Sequence, residues 1–269
     1  WAKWGDSYKQ TGGGHFSARL TAPLCIAGGI ALQILQAQGI TIAAHVLKIK
    51  DVSDTPLELV DNSHEANKLL AHQMNQLLQA GPQELPFLDA QVGEKTHALI
   101  TQLRSEKNTV GGIIECAATG VPAGIGSPHF HGLENTISAA VFGVPAVKAI
   151  EFGTGMNVAN LLGSENNDAY EVRNGSVMPT TNHAGGILGG ISTGAPIWFR
   201  CALKPISSIG LPQNSVNLQT MEPEQLIVQG RHDVTAVLRA VPCVESAFAL
   251  ALLDTLYSWP SEQNGYHND

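Results

Sequence analysis

A glycine-rich stretch followed by a lysine and two serines is the part of the sequence best suited to hold a ligand. Four glycines fall within six residues: Gly185, Gly186, Gly189 and Gly190. Because ordering glycine costs the most backbone entropy, such a cluster indicates backbone at positive φ or in close approach to another group. Lys204, Ser207 and Ser208 follow an apolar run, and a cation beside hydroxyls is the chemistry of an anion site. We therefore predict that a flat, negatively charged ligand binds against the backbone of residues 182–208.

A second reactive group lies where a long apolar helix is predicted to begin. Gly230 is followed by Arg231, His232 and Asp233, which combine a cation, a titratable ring and a carboxylate. Asp233 has two interpretations that the residues alone leave open. It caps the helix, or it accepts or steers a proton beside Arg231.

A third candidate is the glycine run 12–14, which precedes His15, Ser17 and Arg19. Ser17 is predicted to cap a helix over residues 18–38, which Gly39 ends. The free N–H groups and the dipole of a helix N-terminus favour an anion, although the same glycines also fit a plain flexible turn.

The pattern favours neither a metal site nor a disulfide framework. The histidines are scattered, and His129 and His131, which flank Phe130, have no cluster of cysteines or carboxylates beside them. The four cysteines fall in apolar segments without a Cys-x-x-Cys pair: Cys25, Cys116, Cys201 and Cys243. We interpret them as buried free thiols of a reducing cytoplasm.

Composition and charge exclude several classes of partner. Of the 269 residues 43% are apolar and 14% are charged, and the formal net charge is −8. Such a chain can bury a core, but its acidity argues against nucleic acid and anionic membrane surfaces as partners. No uncharged apolar run is expected to be long enough to span a bilayer. The low charged fraction leaves apolar surface to be covered and favours a homo-oligomer.

The elements that must position these residues alternate irregularly, which favours an α+β fold over a doubly wound parallel sheet. Helices are predicted over residues 18–38, 64–78, 91–107, 134–141 and from 233 onwards, and strands over 40–49, 109–117 and after Pro145. Residues 163–181 are predicted to be a mobile excursion, 209–220 a loop and 258–269 a flexible tail. The chain lacks the dinucleotide fingerprint, the Walker A loop and the nucleophile elbow.

Four blocks, taken in order, resemble chorismate synthase: residues 12–19, 120–155, 182–208 and 230–245. The runs Asn-His-Ala-Gly-Gly-Ile-Leu-Gly-Gly-Ile-Ser from position 182 and Gly-Arg-His-Asp from position 230 are unusual, which makes the resemblance specific. It covers nearly the whole chain. It implies a single chorismate synthase-like domain over residues 1–269 with a β-α-β sandwich fold, assembled as a cytoplasmic homotetramer.

The resemblance implies a lyase of the shikimate pathway of aromatic amino acid biosynthesis. Family members remove phosphate from C3 and a proton from C6 of 5-enolpyruvylshikimate 3-phosphate, an anti-1,4 elimination that gives chorismate. They require reduced FMN, although the reaction has no net redox change. The flavin is thought to donate an electron transiently, and its N5 to receive the proton. Bifunctional members also reduce their FMN with NADPH, and the sequence leaves open whether this chain does.

The resemblance also assigns roles to particular residues. Substrate contacts fall on Arg19 and Arg231, and the carboxylate that assists proton transfer falls on Asp233. The flavin contacts of the family fall on His15, Phe16, Ser17, Ala146, Gly189, Lys204, Pro205, Ile206, Ser207, Ser208 and Arg231.

The sequence departs from the family pattern at several positions. His15 stands where many members have Arg, Pro145 where Asn is common, and Val234 where Pro is common. The resemblance begins at Trp1, so the N-terminal segment of the family, with both of its catalytic histidines, is expected to be missing. We therefore expect little or no turnover from this chain alone. The alternative hypothesis is an inactive truncated remnant that binds flavin or only oligomerises.

Overall fold

The structure, a computed structural model, describes residues 2–5, 14–81, 84–173, 175–230 and 232–261. Gly12, Gly13, Arg231 and the tail beyond residue 261, to which some of the sequence predictions refer, lie outside the described residues. The helices are α1 (Thr21–Ala37), α2 (His64–Gln79), α3 (Ala90–Ser105), α4 (Leu133–Phe142), α5 (Gly163–Asn166) and α6 (Val237–Ser258). The longer strands are β1 (Thr41–Ile49), β3 (Gly112–Thr119), β4 (Val147–Phe152) and β9 (Ile197–Leu203). The shorter strands are β2 (Val52–Ser53), β5 (Tyr170–Arg173), β6 (Ser176–Pro179), β7 (Ile187–Leu188), β8 (Ile191–Ser192), β10 (Gln213–Val216) and β11 (Pro223–Leu226).

A five-stranded antiparallel sheet forms the centre of the described chain, in the order β2-β1-β3-β9-β4. β1 and β3 pair along nearly their whole length, from Thr41 opposite Thr119 to Ile49 opposite Gly112. Both strands are rich in small and β-branched residues, which pack well on a pleated surface. Antiparallel pairing with helices packed on the sheet confirms the predicted α+β class.

Helices α1 and α4 each pack against α6, and α6 packs on one face of this sheet. The interior between them is dominated by fully buried aliphatic and aromatic side chains. Phe199 of β9 and Phe248 of α6 meet edge to face, with ring centroids 5.2 Å apart. Leu35 of α1 is also fully buried. Burial of such side chains stabilises the fold by about 1.5–3 kcal/mol each.

Helix α2 covers part of the opposite face, where alternate strand residues point. Leu70 and Met74 of α2 join Ala43, Ala117 and Trp198 in a second buried cluster. Ser63 caps α2 by accepting a hydrogen bond from Ala66 N, which ends the preceding loop at a defined residue.

Helix α1 is apolar on more than its buried side. It buries Ala31 and Leu35, whereas Ile26 and Ile30 are 71% and 57% exposed. Residues Ala18–Ala37 reach a mean hydropathy of 1.6 over an 18-residue window, of which 17% is buried. By length and composition this helix could cross a bilayer, which corrects the expectation that no uncharged run is long enough. Core helices of globular domains pass the same test.

The structure confirms most of the predicted long elements and corrects three local predictions. Residues 163–181 are not a featureless excursion, because β5 and β6 pair as a hairpin. Residues 209–220 are not only a loop, because β10 pairs with β11. Asp233 does not cap α6, which begins at Val237 with Ala236 at its N-cap. Thr235 Oγ1 accepts the hydrogen bond from Val237 N instead, at 3.3 Å.

Candidate functional site

Three chain segments that are far apart in sequence lie side by side and form a wall, here called the three-segment wall (residues 108–111, 203–210 and 230–234, of which Arg231 is not described). Thr109 Oγ1 donates a hydrogen bond to the carbonyl of Ile206 at 2.6 Å. Val110 N donates to the carbonyl of Val234 at 2.9 Å. These hydrogen bonds therefore connect the segment before β3 to the segment after β9 and to the turn before α6.

Ala146 extends the wall on the side of β4. Lys204 N donates to the carbonyl of Ala146 at 2.9 Å, directly after Leu203 pairs with Val147. Ala146 has φ 76°, a left-handed conformation that is costly for a residue with a Cβ. The structure thus brings together Ala146 and the segment Lys204–Ser208, two of the groups to which the resemblance assigns flavin contacts.

A cavity of about 560 Å³ opens on this wall. Its volume lies within the range that suits a small-molecule ligand. Its lining includes three polar side chains from the segments singled out in the sequence, those of Ser208, His232 and Asp233. The remaining lining residues are Arg104, Lys107, Asn108, Thr109, Ile209, Gly210, Ile227, Val228, Gly230 and Val234.

The polar groups that line the cavity differ in whether they have hydrogen-bond partners. The Asp233 carboxylate accepts a hydrogen bond from Arg239 Nη1 at 2.9 Å, with both side chains mostly exposed. His232 Nε2 is buried and has no hydrogen-bond partner among the described residues. Because buried polar atoms are nearly always paired, this nitrogen indicates a position where a ligand or water belongs.

Gly189 lies in the turn between β7 and β8, with φ 61°. A Cβ added at Gly189 would meet no atom within 4 Å, whereas one added at Gly190 would overlap the carbonyl of Ser127. Gly190 is therefore glycine for packing against its own chain, and Gly189 leaves its backbone open on the outside. The open side is compatible with close approach of a flat ligand.

The N-terminal residues of the predicted site are described only in their local contacts. The rings of His15 and Phe16 are 4.3 Å apart and both contact Trp4. Ser17 Oγ accepts from Arg19 N at 3.3 Å and caps the short 3-10 helix Ala18–Leu20. Among the described residues, the lining of the cavity does not include these side chains. Of the glycine run 12–14 beside them, the structure describes only Gly14.

A buried ionic row, which the sequence reasoning missed, crosses the sheet on the face covered by α2. His45 of β1 lies opposite Glu115 of β3, which lies opposite Arg200 of β9. His45 Nδ1 is 3.0 Å from Asp54 Oδ2, and its Nε2 is 3.1 Å from Glu115 Oε2. Arg200 Nε donates to Glu115 Oε1 at 2.8 Å. The signal in the sequence is a histidine and a glutamate inside apolar strand runs, where an unpaired charge is costly.

The hydrogen bonds of this row define its protonation state. Leu57 N donates to Glu115 Oε2, and Leu88 N and Asp89 N donate to the two oxygens of Asp54. Since each of these oxygens already accepts from a backbone N–H, the arrangement is best satisfied when both carboxyl groups are ionised and His45 donates from both nitrogens.

The pKa directions agree with that assignment. Burial alone lowers the pKa of His45, but its hydrogen bonds to Asp54 and Glu115 outweigh burial and raise that pKa above 6.5. Burial raises the pKa of both carboxyl groups, but the hydrogen bond from His45 leads the opposing causes, and both pKa values are lowered.

Asp168 is a second residue that the sequence reasoning passed over. Its carboxylate accepts from Thr181 Oγ1 at 2.7 Å, from His183 N at 2.8 Å and from Ala184 N at 3.0 Å. Its side chain is 5% exposed. A single buried carboxylate therefore fixes the chain where it enters the glycine-rich stretch.

Within the ranges that the structure describes, no group of three or more His, Cys, Asp or Glu side chains is arranged to hold a metal ion.

A family model for chorismate synthase matches residues 1–257 of this chain. The chain belongs to the chorismate synthase family. It is 91% identical over all 269 residues to a chorismate synthase of Lancefieldella parvula, and 42% identical over 246 residues to one from Pyrococcus abyssi. The fold is similar to that of a crystal structure of chorismate synthase, with a TM-score of 0.74, 26% sequence identity and 96% of this chain covered. The family resemblance and the fold predicted from it are thereby confirmed.

The chain spans 71% of the length of the L. parvula relative, 64% of the P. abyssi relative and 70% of the chain in the solved structure. The family predicted from the four blocks is confirmed, as is its class, a lyase of aromatic biosynthesis. The individual contacts that the resemblance assigns stay predictions.

Proposed function

We propose that this protein acts as a chorismate synthase, eliminating phosphate from 5-enolpyruvylshikimate 3-phosphate to give chorismate. The three-segment wall is the observation that carries the proposal for this chain. It joins the segment that ends at Ser208 to the segment that contains Asp233, and both of these residues line one cavity. Family membership supplies the reaction, and the wall supplies a place in which its cofactor and substrate meet.

Reduced FMN is the cofactor of this proposal, and the described residues fit it. Lys204 is exposed and has no ion-pair partner among the described residues. Gly189 leaves open space for a ring, and no described residue pairs with His232 Nε2. Reduced flavin, when bound, would supply the transient donation of an electron and the acceptor for the substrate proton that the family's reaction uses. The residues that would hold it are His15, Phe16, Ser17, Ala146, Gly189, Lys204, Pro205, Ile206, Ser207, Ser208 and Arg231.

The substrate is proposed to meet Arg19 and Arg231, whose guanidinium groups suit phosphate and carboxylate in a bidentate geometry. Positive charge placed there also stabilises the departing phosphate as its charge grows. Asp233 steers the proton, and Arg239 holds its carboxylate at the mouth of the cavity. The proposal further includes a cytoplasmic homotetramer, and NADPH as reductant only if the protein is bifunctional.

Growth complementation tests this function with the protein as its gene encodes it. Expression in a bacterial strain that lacks its own chorismate synthase is expected to restore growth without aromatic amino acids. The variant Asp233→Ala should restore growth poorly, whereas Asp51→Ala, at a carboxylate with an 87% exposed side chain, should behave as wild type. Soluble, folded protein that gives no growth would refute the proposed activity.

A further inference from the structure

We infer that Arg104 and Lys107 form a subsite for a phosphate monoester in the cavity, next to Ser208 and His232. Neither cation belongs to the segments from which the site was predicted. Both line the same cavity as Ser208 and Asp233. The inference rests on the proposed function in one respect, because it locates the phosphate end of a ligand whose other end lies on the three-segment wall.

The backbone at Lys107 is the first observation. Lys107 N donates to the carbonyl of Arg104 and Asn108 N donates to that of Leu103, at 3.1 and 3.0 Å. These two bonds form a Schellman motif that ends α3, with Glu106 at the C-cap. The next position normally holds glycine because it is left-handed, but here it holds Lys107 with φ 56°. A lysine is less stable than glycine in this left-handed conformation, and the helix end itself does not require a side chain there.

The surroundings of Lys107 fix it against the cavity. Gly210 N donates to the carbonyl of Lys107 at 3.1 Å, and a Cβ added at Gly210 would lie 3.0 Å from Lys107 Cβ. The absence of a side chain at position 210 therefore lets the two segments pack closely. Lys107 and Ser208, which lies two residues before Gly210, both line the cavity.

The charge balance of the cavity is the second observation. Arg104 and Lys107 have no carboxylate partner among the ion pairs of the described residues. The acidic residue of the lining, Asp233, is already paired with Arg239. The lining of the cavity thus includes two cations and the nitrogen of His232, for which the described residues supply no partner, together with Ser208.

A phosphate monoester fits this set better than a carboxylate does. It carries nearly two negative charges and three acceptor oxygens, which match a guanidinium, an ammonium and a neutral donor at once. Two sources of that group are consistent with the proposed function, the 5′-phosphate of FMN and the C3 phosphate of the substrate. Both share the chemistry of the subsite, and separate titrations distinguish them.

The decisive variant is Lys107→Gly, because glycine suits the left-handed helix end and the ammonium group is lost together with the alkyl chain of the lysine. Its melting temperature should be equal to or higher than that of wild type. Arg104→Gln removes the second cation, and Lys95→Ala on the same helix is the matched control. Calorimetric titration with inorganic phosphate, FMN, riboflavin and 5-enolpyruvylshikimate 3-phosphate gives the affinities.

We expect Lys107→Gly and Arg104→Gln each to weaken the binding of inorganic phosphate at least fivefold. The affinity of Lys95→Ala for phosphate should equal that of wild type. If the affinity for FMN falls by a similar factor and that for riboflavin does not, the subsite holds the phosphate of the flavin. If only the affinity for the substrate falls, the subsite holds the phosphate of the substrate. Unchanged phosphate, FMN and substrate affinity in both variants, or an equal loss for riboflavin and FMN, would overturn the inference. Failure of the proposed function would instead appear as wild-type protein that binds inorganic phosphate through these cations but neither flavin nor substrate.

Discussion

His45 is buried as an imidazolium between two carboxylates, and its protonation ties three chain segments together. The hydrogen bonds of Asp54 and Glu115 reach the loops before α2 and α3 through Leu57 N, Leu88 N and Asp89 N. Breaking a buried ionic arrangement by removing one partner leaves charge without compensation, which costs about 3–5 kcal/mol.

The first prediction concerns His45→Gln, which is expected to lower the free energy of unfolding by about 3–5 kcal/mol. Glutamine can donate to one carboxylate but cannot supply the positive charge. Urea unfolding followed by circular dichroism measures the change. His72→Gln, at an exposed position of α2, is the control and should change stability by less than about 0.5 kcal/mol.

The pH dependence of this difference has a defined sign. The raised pKa of His45 gives stability that is fully present below 6.5 and is lost as pH rises through the folded value. The lowered pKa values of Asp54 and Glu115 give stability that is present above 3.8 and 4.5 and is lost as pH falls through the folded values. The wild-type advantage over His45→Gln should therefore be largest between pH 4.5 and 6.5. An advantage that grows steadily above that window would contradict the ionised row.

The second prediction concerns Asp168→Asn, which places an amide NH₂ opposite one of the backbone N–H groups that the carboxylate now satisfies. The expected loss is about 1–3 kcal/mol in the free energy of unfolding. Amide hydrogen exchange at His183 and Ala184 should also become faster than in wild type. Asp51→Asn provides the matched exposed control. Unchanged exchange at both amides would show that Asp168 does not fix the entry to the glycine-rich stretch.

At the scale of elements, the contact of α1 with α6 depends on one glycine. A Cβ added at Gly28 would overlap Ser246 of α6, whereas one added at the adjacent Gly29 would meet nothing within 4 Å. Ser246 is buried, so the two helices would have to separate to accept a methyl group at position 28. Adjacent glycines in one helix thus have different reasons to be glycine.

The third prediction uses this pair. Gly28→Ala is expected to destabilise the protein by about 1–3 kcal/mol, because overpacking forces α1 away from α6. Gly29→Ala is expected to stabilise it by up to about 1 kcal/mol, since alanine restricts the unfolded chain and favours helix. Thermal unfolding of the two variants side by side measures both. Equal shifts of the same sign would mean that the helices do not approach at Gly28.

The sequence alone predicted most elements because their hydrophobic periods are long and regular. Helix α2 was predicted to within a few residues from the helical spacing of its apolar residues. Strand β1 was predicted as closely from its β-branched residues, although its alternation is weak. The hairpins β5–β6 and β10–β11 were not predicted, because their strands are short and polar on most faces. Pairing of such strands depends on partners that local patterns do not reveal.

The candidate site could be predicted only in part from the sequence, because some of its contacts depend on the order of the strands. The residues carried over from the family lie in motifs, so they could be named in advance. The partnership of Thr109 with Ile206 and of Val110 with Val234 arises from strand order, which no local motif encodes. The same holds for His45, Glu115 and Arg200, which are neighbours only because β1, β3 and β9 are adjacent in the sheet.

For the whole molecule, the described chain combines a sheet, a helical layer that contains α1, α4 and α6 on one face, helix α2 on the other face, and a cavity at the three-segment wall. The helical layer supplies stability, and the three-segment wall supplies polar groups and open backbone. Low charge content and exposed Ile26 and Ile30 agree with the proposed homotetramer. Light scattering after size exclusion is expected to give a mass about four times that of one chain, and a monomeric mass at micromolar concentration would contradict it.

The most direct test of the account is a titration of the protein with FMN, followed by quenching of flavin fluorescence. We expect saturable binding that Lys204→Ala weakens at least tenfold, because a charge-assisted hydrogen bond contributes about 1.5–3 kcal/mol. Lys68→Ala, at an exposed position of α2, should leave the affinity unchanged. No saturable quenching by wild type, or equal affinity of wild type and Lys204→Ala, would contradict a flavin site on this wall.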